Sequence, residues 1–255
     1  MLDIGKIVCF FLFCSLSAQK TLAFDTLKLG TAKDLLADDY GNIYLYQNKD
    51  FSFTKYDSLG NQKAKLMLTL PFRIQSVQNP LNIPSFSENA QELKFFDKNL
   101  SEIHTINFRQ KFGFIRSAFV EDSQQAWLLD ESTKSLIQYS FRDDRVMNSY
   151  SFNVSLDNIF DLLIFEKKVY LLYQDHLLIY NLKDEKLGEF PVESPRKLRR
   201  ENDQILIISK TKIQKIGSED LETVFSADNS QIVDKNSASY FVFRENKLYL
   251  YPINK

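Results

Sequence analysis

The chain predicts an all-β fold, a six-bladed β-propeller, on three observations. A bulky and mostly aromatic residue ends a short strand-like run about every forty positions: Tyr56, Phe96, Tyr139, Tyr180, Ile216 and Tyr251, separated by 40, 43, 41, 36 and 35 residues. A period of that length, filled with strands, is what a propeller blade produces. Phe (22) and Tyr (12) are abundant, and both favour strands. Hydrophobic residues make up 44% of the chain and charged residues 25%, which suits a packed core and excludes disorder. The runner-up is another all-β repeat arrangement.

The chain opens with Lys6, an apolar run Ile7–Cys14 and the small-residue exit Ser15-Leu16-Ser17-Ala18-Gln19. One basic residue, a short apolar core and a small-residue exit describe a secretory signal peptide, and the run is too short to span a bilayer. Cleavage is expected after Ala18, with Ala23 as second choice. That divides the chain into a signal peptide, 1–18, and a propeller domain, 19–255. Both cysteines, Cys9 and Cys14, then leave with the signal, so the mature chain has no disulfide, thiolate metal site or cysteine nucleophile. The Ser-Ala-Gln exit resembles signal peptides of Bacteroidota, which implies a periplasm, outer-membrane periphery or cell surface.

The first blade is the clearest. Asp34–Ala37 reads as its inner strand, followed by Ile43–Tyr46, Phe51–Tyr56 and Lys65–Leu70, with polar turns between them. The second blade runs from Phe72 to about Phe108, with Glu92–Asp97 as its third strand. Pro80 and Pro84 interrupt it, so one strand there is short, an edge, or absent. The third runs from Gly113 to Phe152, the fourth from Asn158 to Phe190, the fifth from Arg196 to Phe225 and the sixth from Gln231 onward. With 7 glycines in the chain, turns must rely on Asn, Asp, Ser and Lys. Leu156, Ile159, Phe160, Leu163 and Ile164 also fit a helical period with Ser155 as cap, but an inner strand is due at Ile159–Ile164.

The stretch Asp38-Asp39-Tyr40-Gly41-Asn42-Ile43-Tyr44-Leu45 resembles the repeat of NHL-type six-bladed propellers. That resemblance implies the fold and no particular activity. The sixth blade supplies three strands, and Asp25–Leu29 is expected to pair against Lys247–Tyr251 and close the ring. Deleting residues 24–30 is then expected to cost several kcal/mol, as losing a buried strand would.

Chemistry is sparse. The two histidines, His104 and His176, fall in different blades, and no nucleophile elbow or metal-ligand pair is present. No catalytic residue, metal or cofactor is expected. A net charge of −1 gives no reason to expect nucleic acid, and no membrane-spanning segment is expected after cleavage. Aligned inner strands put Lys33, Arg73, Arg116 and Lys197 at nearly equivalent positions, with Arg196 beside them. Such cations around one channel mouth suit an anionic ligand, protein or glycan. Asp57-Ser58-Leu59 resembles an acceptor for Bacteroidota O-glycosylation, with Ser58 as its site. The expected function is an exported binding or scaffold module. The alternatives are a hydrolase or lactonase with its site at the channel mouth, and an accessory subunit of a cell-envelope complex.

Overall fold

A computed structural model describes residues 20–22, 32–217 and 220–253. They form six four-stranded antiparallel sheets, and five of these are simple up-and-down meanders. Blade 1 comprises β2 (Ala32–Ala37), β3 (Ile43–Gln47), β4 (Ser52–Tyr56) and β5 (Gln62–Met67). Blade 2 comprises β6 (Arg73–Ile74), β7 (Ile83–Ser87), β8 (Glu92–Phe96) and β9 (Glu102–Asn107). Blade 3 is β10 (Ile115–Val120), β11 (Gln125–Asp130), β12 (Ser135–Ser140) and β13 (Arg145–Ser151). Blade 4 is β14 (Asp161–Phe165), β15 (Lys168–Leu172), β16 (His176–Asn181) and β17 (Lys186–Pro191). Blade 5 is β18 (Pro195–Glu201), β19 (Gln204–Ser209), β20 (Lys212–Ile216) and β21 (Leu221–Ser226). Blade 6 joins β22 (Ile232–Lys235), β23 (Ser239–Arg244) and β24 (Lys247–Pro252) to β1 (Lys20–Leu22).

Each blade buries both faces, because successive strand residues point to opposite sides of a sheet. In blade 1, Leu35, Ile43 and Leu45 pack toward Phe241, Phe243 and Leu248 of blade 6. Their neighbours Leu36, Tyr44 and Tyr46 pack toward Ile74, Ile83 and Phe96 of blade 2. The same alternation supplies the cores between the other blades. Second strands such as β11, β15 and β19 therefore read as near-continuous apolar runs. Outer strands such as β13 are exposed nearly throughout and carry little pattern.

The forty-residue period has a structural meaning. In four blades the ladder between third and outer strand shifts register at the recurring aromatic: Lys55/Tyr56, Phe95/Phe96, Gln138/Tyr139 and Ile179/Tyr180. A bulge there twists the outer edge away.

Turns replace glycine with side-chain caps. The Asp38 carboxylate accepts from the backbone N–H of Tyr40 (2.9 Å) and Asn42 (2.8 Å), while Gly41 holds φ +83°. Asp57 repeats the device toward Leu59 and Asn61, with Gly60 at φ +85°. Asp97 and Asn181 repeat it again, with Leu100 and Asp184 in the left-handed position. Local carboxylate and amide caps thus hold ordinary residues at φ values that glycine would otherwise supply.

Two expectations are corrected in detail. The strand pairing with β24 is Lys20–Leu22, in the register Lys20↔Leu250, Thr21↔Tyr249 and Leu22↔Leu248. The expected Asp25–Leu29 segment lies outside the described residues. The outer strand of blade 1 begins at Gln62 rather than Lys65, because an exposed edge needs no apolar run. Pro84 sits inside β7, yet its carbonyl accepts from Gln75 N (3.0 Å). Its missing N–H faces that same edge, where the two-residue β6 ends. The segment from Asp161 is a strand, as register demanded.

Candidate functional site

Six inner strands, one from each blade, begin at one mouth of the ring. A cavity of about 670 Å³ opens there, lined from all six blades. Lys33, Arg73, Arg116, Arg196 and Lys197 all line it.

The backbone aims three of them. The ladder between β2 and β3 steps from Ala32↔Gln47 to Asp34↔Tyr46, which leaves Lys33 as the extra residue of a bulge. Between β10 and β11 the step skips Arg116, and between β18 and β19 it skips Arg196. A bulge bends the strand and redirects its side chain. Blades 1, 3 and 5 therefore each present a bulged cation to the mouth. The register aligns Arg196, not Lys197, with Lys33 and Arg116. Lys197 is the next ladder residue, matching Asp34 and Ser117.

The cations then divide by partner. Arg196 is ion-paired with Asp34 across the channel and donates to the Val233 carbonyl (2.5 Å). Lys197 is buried, and its Nζ donates to Asp234 (2.8 Å) and to the Leu35 carbonyl (3.1 Å). Arg199 joins Asp234 at 3.3 Å. Arg116 lies between Glu88 and Glu131, each at 2.6 Å. The lining cations Arg116, Arg196 and Lys197 are thus held in place by carboxylates.

Lys33 and Lys210 are not, and Arg73 is held only loosely. Lys33 and Lys210 are exposed and have no carboxylate within ion-pair reach among the described residues. Arg73 touches Asp161 at 3.5 Å, and its side chain keeps 40% of its exposure. Asp161 also accepts from the backbone N–H of Leu162 (3.0 Å) and Leu198 (2.7 Å). Of the six basic side chains lining the cavity, Lys33 and Lys210 carry uncompensated charge, and Arg73 is offset only by its long contact to Asp161.

The two acids differ. Burial pushes Asp161 up, and Arg73, the two backbone donors and Lys197 do not cancel it, so its pKa stays above the ordinary value. Burial also pushes Asp34 up, but Lys197 and Arg196 outweigh that and hold its carboxyl below the usual range.

Sequence reasoning missed Lys210 and Phe160. Lys210 lies between β19 and β20, on a loop that returns to the same mouth. Phe160 immediately precedes the inner strand β14, as Phe72 precedes β6. Alignment of inner strands alone could not reveal the first, and a search limited to charge could not reveal the second.

His104 lies on outer strand β9 against Phe95, and His176 stacks on Tyr173 at 4.7 Å. Neither lines the cavity. Ser58 stands exposed on the β4–β5 turn. Among the described residues no group of three or more His, Cys, Asp and Glu side chains is arranged to hold a metal ion. None of their helices is long and apolar enough to cross a membrane.

No family model matches the chain, and no curated protein matches its sequence. Solved structures do. A streptogramin B lyase is similar with a TM-score of 0.54 at 11% identity, over 93% of this chain and 87% of that one. A catalytically inactive virginiamycin B lyase from Staphylococcus aureus with quinupristin gives 0.54 at 11% identity, over 92% and 88%. At such identity the likeness establishes the six-bladed propeller fold and nothing of the activity.

Proposed function

We propose that this protein is an exported, non-catalytic binding module that holds an anionic partner at the mouth where its inner strands begin. The observation that carries this reading is the split among the lining cations. Arg116, Arg196 and Lys197 are neutralised by the protein itself, whereas Lys33 and Lys210 have no carboxylate in reach and Arg73 has only a long contact to Asp161, which leaves positive charge facing a concave site. Converging charge in such a site attracts an anion more strongly than the same residues spread over a surface. A hydrolase or lactonase at this mouth would need a carboxylate cluster free to act or to hold a metal. Asp34, Glu88 and Asp161 each face a cation instead.

Export rests on Lys6, the run Ile7–Cys14 and the Ser15–Gln19 exit. Cleavage after Ala18 would keep Lys20–Leu22 as the closing strand, while cleavage after Ala23 would remove it. The exposed Ser58 turn would suit glycosylation. An accessory role in an envelope complex would be one form of the same binding activity.

The test is capture from native envelope extracts by the tagged mature chain and by its Lys33→Glu, Arg73→Glu double variant. The wild type should retain a partner that the variant loses. Equal capture by both would remove the mouth as the binding site.

A further inference from the structure

Phe160 is 38% exposed, while the other aromatic side chains lining the mouth cavity, Tyr46, Phe72, Phe86 and Phe243, are buried. An exposed aromatic ring at a concave site is a binding feature more than a packing one. It adjoins Asp161 in the chain, and Asp161 is the residue that Arg73 reaches.

Arg73 itself is chemically unfinished. A guanidinium carries five N–H donors in a planar fork suited to a carboxylate, sulfonate or phosphate. Among the described residues Arg73 makes an ion contact of 3.5 Å with Asp161 and no hydrogen bond. Asp161 does not close on it as a bidentate partner: the contact is 3.5 Å on a single oxygen, and each Asp161 oxygen also accepts a backbone N–H.

We propose that the mouth takes a small amphipathic organic anion: its acidic group meets the Arg73 guanidinium, and its apolar body lies on the Phe160 ring. Lys33 and Lys210 add positive charge at the rim. The cavity volume of about 670 Å³ suits a ligand of small-molecule size. An inorganic anion would leave Phe160 without a role, and a neutral apolar ligand would leave the three cations without one. This rests on the mouth being a ligand site and adds the class of ligand.

Fluorescence titration with anilinonaphthalene sulfonate tests it. The comparators are neutral N-phenylnaphthylamine, which has a similar body without charge, and inorganic sulfate, which has charge without a body. The sulfonate should saturate a single site, about tenfold tighter than the neutral amine. Arg73→Gln should weaken it about tenfold and Phe160→Ser about fivefold, with the thermal midpoint of both variants unmoved. If either variant unfolds, Lys33→Gln with Lys210→Gln provides the same test at two exposed positions, with a smaller expected loss of about threefold. Equal affinity for the neutral amine, displacement by sulfate alone at matched ionic strength, or variants that bind like the wild type would each overturn the proposal. Failure to bind the sulfonate, with partner capture still lost on charge reversal at Lys33 and Arg73, condemns the ligand class and leaves the mouth standing. Failure of both removes the mouth as well.

Discussion

Arg196 and Arg73 occupy blades 5 and 2, on opposite sides of the ring, and the same cavity meets both. Arg196 is bound by Asp34 and the Val233 carbonyl, beside a buried cluster in which Lys197 and Arg199 share Asp234. Arg73 has one carboxylate, at 3.5 Å, and no hydrogen bond to it. Residue type and strand position are nearly the same. Each has one carboxylate; what separates them is the closeness of that pair, the Val233 carbonyl that Arg196 also finds, and the degree of burial. The first side is structure: side chains of blade 5 reach over blade 6 to blade 1 and tie the closing seam through the channel. The second side has charge to spare, which is what a binding site requires.

The largest effect should come from breaking the saturated side. Asp234 is 1% exposed and answers two cations. Its removal in Asp234→Ala strands buried positive charge, which typically costs about 3–5 kcal/mol. Urea unfolding checks this, and a loss under about 1 kcal/mol would show that the cluster relaxes freely. A smaller loss is expected from deleting β1. It adds three register pairs to β24, and the seam it covers also holds an apolar core from blades 1 and 6. A chain starting at residue 24 should lose about 1–3 kcal/mol, from the net worth of a few hydrogen bonds. A loss as large as that of Asp234→Ala would move the burden of closure from the channel to the sheet edge.

The sequence exposed the repeat because blades bury both faces, and two-faced burial writes apolar runs that recur with the period. The recurring aromatics were legible for a further reason: in four blades they mark the bulge near the end of the third strand. The outer strands were not legible in detail, since an exposed edge such as β5 carries no apolar signal. The closing strand was legible as a need, and its place was not, because three paired residues leave too short a pattern. Equivalent cations could be aligned within a residue, but a bulge shifts the count by one, so Lys197 stood in for Arg196. Which cations are free could not be read at all. That depends on Asp34, Glu88 and Asp234, each from a different blade than the cation it holds.

The subtlest test uses pH, because the two sides hold acids shifted in opposite directions. Burial raises the Asp34 carboxyl, but Lys197 and Arg196 outweigh it, and its folded pKa lies below the ordinary value. Its contribution to stability is present above the unfolded value and is lost as pH falls through the folded one. Asp161 has its folded pKa raised by burial, with Arg73 and Lys197 as the charges facing it. Its favourable contribution is present below the unfolded value and is lost as pH rises through the folded one. Stability differences between wild type and the two amides should therefore slope in opposite senses. Asp34→Asn should fall further behind the wild type as pH rises from acid to neutral, and Asp161→Asn should gain on it over the same climb. The deciding result is the sign of each slope, read from thermal melts across that range. Parallel slopes would mean that Asp161 is as well compensated as Asp34. Arg73 would then be its committed partner, and the open side of the mouth would be as closed as the other.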